Sequence, residues 1–197
     1  EADLQHRFDT AGQALVTHAR IHGSREFGTD PTRDEFVRFY PFLPTHFSLL
    51  LNTVRALARA GRGALGLRSA IRLVQDVLVQ RPPDGSHPLA DAPIGTLVTI
   101  DRVYDVLSAD IQRVHEHVPA AIAHVADHHK DGFALRVAKA VGALQPLETF
   151  PRTPENIAAL LYPSIGAPSE VARVTETLRA LAADPETGLA EIGRAHV

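Results

Sequence analysis

The sequence contains no cysteine, which excludes disulfide bonds, thiolate metal sites and cysteine nucleophiles. It lacks any run of about 18 uninterrupted apolar residues, so no transmembrane helix and no membrane partner are expected. Lysine is nearly absent, because only Lys130 and Lys139 occur among 20 basic residues. No lysine follows a glycine, and the phosphate-binding loop of P-loop nucleotide hydrolases is therefore missing from this chain.

The charge balance gives no sign of a nucleic-acid partner. The formal net charge is −3 and the isoelectric point is about 6.4, whereas phosphate binding needs clustered cations. The preference for arginine over lysine favours planar, bidentate recognition of carboxylate or phosphate, although a coding bias would produce the same composition. Because a starting methionine and a signal-peptide pattern are both missing, we expect an excerpt of a longer, cytoplasmic protein.

Apolar residues recur at helical spacing along most of the chain, and the predicted fold class is therefore mainly α. A segment over 94–100 is predicted as a short strand or an extended packing segment. Helices are predicted over 4–22, 45–60 and 66–80, as one or two helices between 102 and 126, and as three shorter helices starting near 133, 154 and 169.

Polar residues in front of these apolar repeats predict where helices start. Either Asp30 or Thr32 is a candidate N-cap for the segment before Tyr40-Pro41. Further along the chain, Asp101, Thr153 and Ser169 are predicted as N-caps.

The order of these elements predicts three parts. We expect a helical lid-type bundle over 1–92, connecting helices over 93–132 and a winged-helix-like domain over 133–197. The last part rests on three helices followed by a hairpin-type turn at 184–188 and a β segment at 189–192. We expect the chain to stop inside this short β wing.

The 11 histidines raise the question of a metal site. His124 and His128 lie four residues apart on one helix face, with Asp127 and Asp131 nearby. No histidine pair has a carboxylate at convincing metal spacing, and solvated histidines at a helix end explain the pattern more simply. Nor does the sequence contain the Gly-x-Ser-x-Gly elbow of serine hydrolases. We therefore predict no metal-binding and no catalytic residue within this chain.

Four arginines surround a glycine-rich segment at residues 61–66, called here the glycine break: Arg59, Arg62, Arg68 and Arg72. The glycine spacing matches a dinucleotide fingerprint, but it follows a predicted helix instead of a strand, which removes that mechanism. Free N–H groups at the start of the next helix favour an anion there. The alternative is that the arginines are solvated or paired with Asp76 and neighbouring carboxylates.

Two stretches around this break carry a family resemblance. Tyr40-Pro-Phe-Leu-Pro-Thr-His-Phe47, a helix, and then Gly63-Ala-Leu-Gly-Leu-Arg-Ser-Ala-Ile-Arg-Leu-Val74 resemble the helical-lid segment of large bacterial P-loop ATPases of the BREX/Pgl phage-defence type. Those proteins carry a Tyr-Pro-Phe-His-Pro sequence followed by an Arg-Gly-Val-Leu-Arg-Leu-Leu stretch. Here Leu43 replaces their histidine, and the Arg-Gly pair comes one glycine loop earlier, at Arg62-Gly63.

The resemblance implies a sensor-2-like arginine that reaches nucleotide phosphates from a lid. Arg68 matches that position best and Arg62 second, with Arg72 one turn further on. It also implies that ATP and Mg bind only in the full-length parent, at an N-terminal P-loop core outside this chain. The expected function is a non-catalytic lid and winged-helix fragment that couples ATP hydrolysis to conformational change and to docking of other defence-complex subunits.

Two alternatives stay open at this point. The first is a winged-helix DNA-binding regulatory module that reads DNA with the helix over 169–182. That helix carries Arg173 and Arg179, but Glu170 and Glu176 make it neutral. The second is a helical protein-interaction scaffold.

Overall fold

The described part of the chain is mainly helical, which confirms the predicted fold class. The computed structural model describes residues 1–61, 67–82, 85 and 87–187, the side chains of 67–69 excepted. The α-helices in these residues are α1 (Ala2–Ala19), α2 (Arg33–Phe39), α3 (Pro44–Ala60), α4 (Leu67–Val79), α5 (Ile100–Val114), α6 (His117–His128), α7 (Gly132–Ala143), α8 (Pro154–Leu160) and α9 (Val171–Ala183).

Two of the predicted N-caps are confirmed. The Thr32 side chain accepts a hydrogen bond from the backbone N–H of Glu35, whose carboxylate accepts one from the backbone N–H of Thr32. This reciprocal capping box starts α2. At α8, the Thr153 hydroxyl accepts from the backbone N–H of Asn156, with Pro154 in the first turn.

The other two predicted caps are wrong. Helix α5 begins two residues earlier than predicted, with Thr99 as its N-cap, and Asp101 instead forms an ion pair with Arg136 of α7 at 2.8 Å. Helix α9 has Glu170 as its N-cap, not Ser169. A tertiary partner for Asp101 could not be read from its immediate neighbours in the sequence.

The region predicted as one or two helices forms two, α5 and α6. They separate at His115 and Glu116, so that Pro119 falls in the first turn of α6, where a missing N–H costs nothing. Helix α7 packs against both of them. Gly142 permits this close approach, since a Cβ at that position would lie 2.9 Å from Val118 Cγ1.

The aromatic-proline stretch fixes the segment predicted as a strand or extended piece. The Tyr40–Pro41 peptide bond is cis, the Tyr40 hydroxyl accepts a hydrogen bond from the N–H of Gly95, and the Pro41 carbonyl accepts from the N–H of Val98. Residues 94 and 95 form a turn, and Ile100 already belongs to α5. Between them, Leu97 and Val98 are buried without forming a strand, and the only β bridge among the described residues is an isolated antiparallel one between Thr96 and Ser164. The alternative of an extended packing segment is therefore the one observed.

One continuous hydrophobic core draws residues from all three predicted parts of the chain, from Ile21 to Leu181. A smaller cluster under α1 and α2 completes the interior; its buried members are Leu15, Ala19, Phe36, Leu43, Leu97 and Tyr162. No helix within the described residues is both long enough and apolar enough to cross a bilayer. The boundaries at 92 and 132 stay predictions.

The last third has the predicted order of three helices, α7 to α9. Asp184 ends α9, and the residues predicted as a hairpin turn form a 3₁₀ turn over Pro185–Thr187. The predicted β wing at 189–192 lies outside the described residues. Within the described ranges no β strand accompanies these helices.

Candidate functional site

An open cleft of about 750 Å³ lies beside the C-terminal end of α3. Its walls come from α3, from the 24–27 loop, from the junction of α5 and α6, and from the loop over 145–150. Phe27 and Phe150 line it and are almost fully buried, with ring centroids 6.1 Å apart. A concave surface with several polar groups is the first candidate for a ligand site.

The cleft is lined by side chains of both charges, the carboxylates of Glu26 and Glu148 and the guanidinium of Arg59, and by polar side chains that include Asn52 and His115. The Asn52 amide donates a hydrogen bond to the Glu26 carboxylate and thereby joins α3 to the 24–27 loop. Such a mixed lining suits a zwitterionic or peptide-like surface better than a highly charged anion, because two carboxylates face the same space.

His115 caps the C-terminus of α5 and is half-buried in the cleft wall. Burial lowers the pKa of His115, and the nearby charges of His117 and Arg152 lower it further, while the Glu148 carboxylate acts in the opposite direction. The imidazole is therefore neutral at pH 7, with one nitrogen able to accept a hydrogen bond.

Arg152 shapes the 145–150 wall. Its guanidinium donates hydrogen bonds to the backbone carbonyls of Leu144 at 3.1 Å, Leu147 at 3.2 Å and Gln145 at 3.4 Å. Two of these carbonyls also accept backbone hydrogen bonds in the turns after α7, that of Leu144 from the N–H of Leu147 and that of Leu147 from the N–H of Phe150. Arg152 therefore positions the loop that carries Glu148.

Of the four arginines around the glycine break, the structure describes the side chains of two, Arg59 and Arg72. Arg59 is exposed in the last turn of α3, faces the cleft and has no ion pair among the described residues. Arg72 is 83% exposed on α4 and lies 3.7 Å from the Asp76 carboxylate one turn away. Arg62 and the side chain of Arg68 lie outside the described residues. The phosphate-binding roles of Arg68, Arg62 and Arg72 stay predictions.

The group considered as a metal site in the sequence analysis comprises His124, His128, Asp127 and Asp131. Among the described residues, no set of three histidine, aspartate or glutamate side chains could hold a metal ion. The rings of His124 and His128 stack with centroids 4.0 Å apart. Asp131 is occupied elsewhere, since its side chain accepts from the N–H of Phe133 at the start of α7.

The helix proposed to read DNA is poorly equipped for it. The Arg173 guanidinium lies over the Phe133 ring, 3.9 Å from its centroid, and contacts the Asp131 carboxylate at 3.4 Å. A helix that reads DNA needs free cations near the phosphates, and here one of its two arginines is engaged within the fold. Arg179 remains beside Glu176 on the exposed face.

Sequence reasoning found Arg59 but missed the cleft around it. Glu26, His115 and Glu148 are far apart in the chain, and no role was predicted for any of them from the sequence. The only local signal was that polar residues occur where α5 ends and where α7 ends. Tertiary packing alone brings them to one space.

Comparison of the chain with protein-family models, with curated proteins and with solved structures found no match.

Proposed function

We propose that this chain is a non-catalytic helical module of a larger bacterial P-loop ATPase similar to the BREX/Pgl phage-defence ATPases that residues 40–74 resemble. The remainder of the parent protein would bind ATP and Mg. The glycine break would supply an arginine to the phosphates, and the helical fold would transmit the resulting movement to partner subunits. Helices α7 to α9 would form the winged-helix-like part.

The observation that carries this proposal is the position of Arg59. It is an exposed arginine without an ion pair among the described residues, and it lies two residues before the glycine break. A guanidinium pairs with phosphate through two parallel hydrogen bonds. An unengaged arginine at this end of α3 supports the view that the break presents cations outward, as the assignment of Arg68 and Arg62 requires.

Two exposed apolar side chains on α4 are consistent with contact between this helix and another part of the parent protein. Ile71 is 60% exposed and Val79 is 51% exposed, and both lie on the helix that follows the break. Contact with another protein surface would remove the apolar area of both side chains from water. In the proposed parent, that surface is the P-loop core, which would place the break next to the nucleotide.

The test measures ATP turnover by the parent protein. Arg68→Ala is expected to lower kcat on the order of a hundredfold, the typical effect of removing one preorganised donor to a developing charge. Arg62→Ala tests the second assignment. Arg179→Ala, an exposed arginine on α9, is the matched control and should leave turnover unchanged.

Two results would contradict the proposal. Unchanged turnover in both Arg68→Ala and Arg62→Ala removes the sensor role. Hydrolysis of ATP by the 197-residue chain alone, abolished by Arg68→Ala, removes the assignment as a non-catalytic module.

A further inference from the structure

Three histidines and one aspartate meet where the end of α6 lies beside the end of α9. This His–Asp cluster comprises His124, His128, His129 and Asp184. His124 Nε2–H donates a hydrogen bond to Asp184 Oδ2 at 3.0 Å, and His129 Nε2 lies 3.6 Å from the same oxygen. His128 stacks on His124 and donates from Nδ1 to the His124 backbone carbonyl at 3.0 Å.

The same aspartate organises the turn that follows α9. Asp184 Oδ1 accepts a hydrogen bond from the backbone N–H of Glu186 at 3.0 Å. Thr187 is fully buried, and its hydroxyl donates to the Leu181 carbonyl at 2.7 Å. The turn Pro185–Thr187 packs on α6. One carboxylate therefore joins the histidines of α6, through one oxygen, to the turn after α9, through the other.

Few other charges compete for this carboxylate. On α7, Lys139 pairs with Asp105 of α5, as Arg136 does with Asp101. At the start of α7, Asp131 pairs with Arg173 of α9. The remaining charged residues on the elements packed around the cluster are Arg102, Asp110, Arg113, Glu116, Asp127, Lys130, Glu155, Glu170, Glu176, Arg179 and Glu186.

The carboxylate is ionised throughout the neutral range. The hydrogen bond from His124 is the main cause that lowers the pKa of Asp184, and the N–H of Glu186 and the contact with His129 act in the same direction. Any change in the charge of this cluster near neutral pH therefore has to come from protonation of an imidazole.

We propose that the His–Asp cluster is a pH-sensitive clasp that holds the turn Pro185–Thr187 against α6 more tightly when His124 and His129 are protonated than when both are neutral. With both rings charged, His124 makes a charge-assisted hydrogen bond and His129 adds a second cation beside the same oxygen. With both rings neutral, His124 still donates, but the 3.6 Å contact of His129 is too long for a hydrogen bond.

Protonation of His128 opposes the clasp. Its ring lies flat against that of His124, with an interplanar angle of 19°. When both rings are charged, two stacked cations repel one another. Protonation of His128 therefore weakens the clasp, whereas protonation of His124 and His129 strengthens it. This inference goes beyond the proposed ATPase role and does not depend on it.

The test is hydrogen exchange of the Glu186 and Thr187 amides in the complete 197-residue chain between pH 5.5 and pH 8, expressed as protection relative to intrinsic exchange at each pH. Protection should rise roughly twofold to fivefold as the pH falls through the histidine range, the size expected for a partly exposed ion pair. Amides in the middle of α7 should show no matching rise.

Two independent variants remove the clasp in different ways. His124→Asn combined with His129→Asn takes away the titrating cations, and Asp184→Asn takes away the anion while keeping an oxygen for the Glu186 N–H. Both should give protection that no longer depends on pH in this range. His128→Gln is the control, and it should preserve the rise or enlarge it, because the stacked ring is gone.

The proposal is overturned if wild-type protection of both amides is flat across the range. It is equally overturned if the rise persists in Asp184→Asn or in the double histidine variant.

Discussion

A single amide side chain joins the start and the end of the described fold. Asn156 is fully buried; its amide group donates to the carbonyls of His22 at 2.9 Å and Pro151 at 2.8 Å, and its oxygen accepts from the N–H of His22 at 2.7 Å. The side chain thus satisfies both backbone groups of a residue 134 positions away. No property of the local sequence predicts this, because asparagine two positions after a helix start is ordinary.

Asn156→Asp is expected to lower the free energy of unfolding by roughly 2–4 kcal/mol, since a carboxylate oxygen would face two carbonyl oxygens in the interior. The loss should shrink at low pH, where a protonated carboxyl regains one donor. Urea denaturation at pH 7 and pH 4 measures both effects. The matched control is Gln75→Glu on the exposed face of α4, which should change stability by about 0.5 kcal/mol or less. Equal effects at the two positions would contradict the role given to Asn156.

His46 is the second residue whose burial has a measurable consequence. It lies in the first turn of α3, is 8% exposed and donates from Nε2 to the carbonyl of Ala19 at 3.3 Å. Burial lowers the pKa of His46 from 6.5 to about 4, and the bond to Ala19 opposes that shift only in part. The folded protein therefore holds this imidazole neutral.

Between pH 6.5 and pH 4 the unfolded chain binds a proton at His46 and the folded chain does not, so stability falls as the pH falls through this window. The His46 contribution to the loss approaches about 3 kcal/mol at pH 4, since each unit of pKa shift corresponds to about 1.4 kcal/mol. His46→Gln should show a shallower decline in urea denaturation series at pH 7, 6, 5 and 4. Parallel curves for the two proteins would show that His46 is not the responsible group.

At the scale of elements, the packing of helix α7 depends on a close contact at Gly142 that could not be predicted from the sequence of α7 alone. A Cβ at Gly142 would lie 2.9 Å from Val118 Cγ1, 3.0 Å from Ile122 Cδ1 and 3.3 Å from Tyr104 Cε2. Glycine normally weakens a helix interior by about 1 kcal/mol relative to alanine. Its presence here is explained by the crowding of α5 and α6 against α7.

Gly142→Ala is therefore expected to destabilise the protein by about 1–2 kcal/mol despite the gain in helix propensity. Gly132→Ala, in the first turn of the same helix, is the matched control, because nothing lies within 4 Å of the added Cβ. It should be neutral or slightly stabilising. Thermal denaturation of both variants tests the contrast, and a stabilised Gly142→Ala would mean that α5, α6 and α7 can move apart at little cost.

The bounds of the helices were more predictable from the sequence than the tertiary contacts of their side chains. Apolar periodicity predicted α3 and α4 to within one residue at each end, because the apolar stripe of a helix is a local signal. The N-cap at Thr32 was equally local. The prediction at Asp101 was wrong because an arginine 35 positions away on α7 takes the side chain into an ion pair. The cleft was missed for the same reason, since its polar groups converge only through packing.

At the scale of the whole molecule, side-chain contacts join residues on opposite sides of both predicted boundaries, 92 and 132. Helix α1 packs against α8, Asn156 binds the backbone of His22, and α5 and α7 are joined by the pairs of Asp101 with Arg136 and of Asp105 with Lys139. The larger core includes residues from before 92, from 93 to 132 and from after 133. A protein built from three independent parts would not need these contacts.

We therefore expect the 197-residue chain to unfold in one cooperative transition. Far-UV circular dichroism reports the helices, and near-UV circular dichroism reports the three tyrosines, all of which lie in the first 162 residues. The two signals should share one urea midpoint in the wild type. In Asn156→Ala both midpoints should fall together, because the lost bonds connect the beginning of the chain to α8. Separate midpoints, or a shift confined to one signal, would instead support independent units with boundaries near 92 and 132.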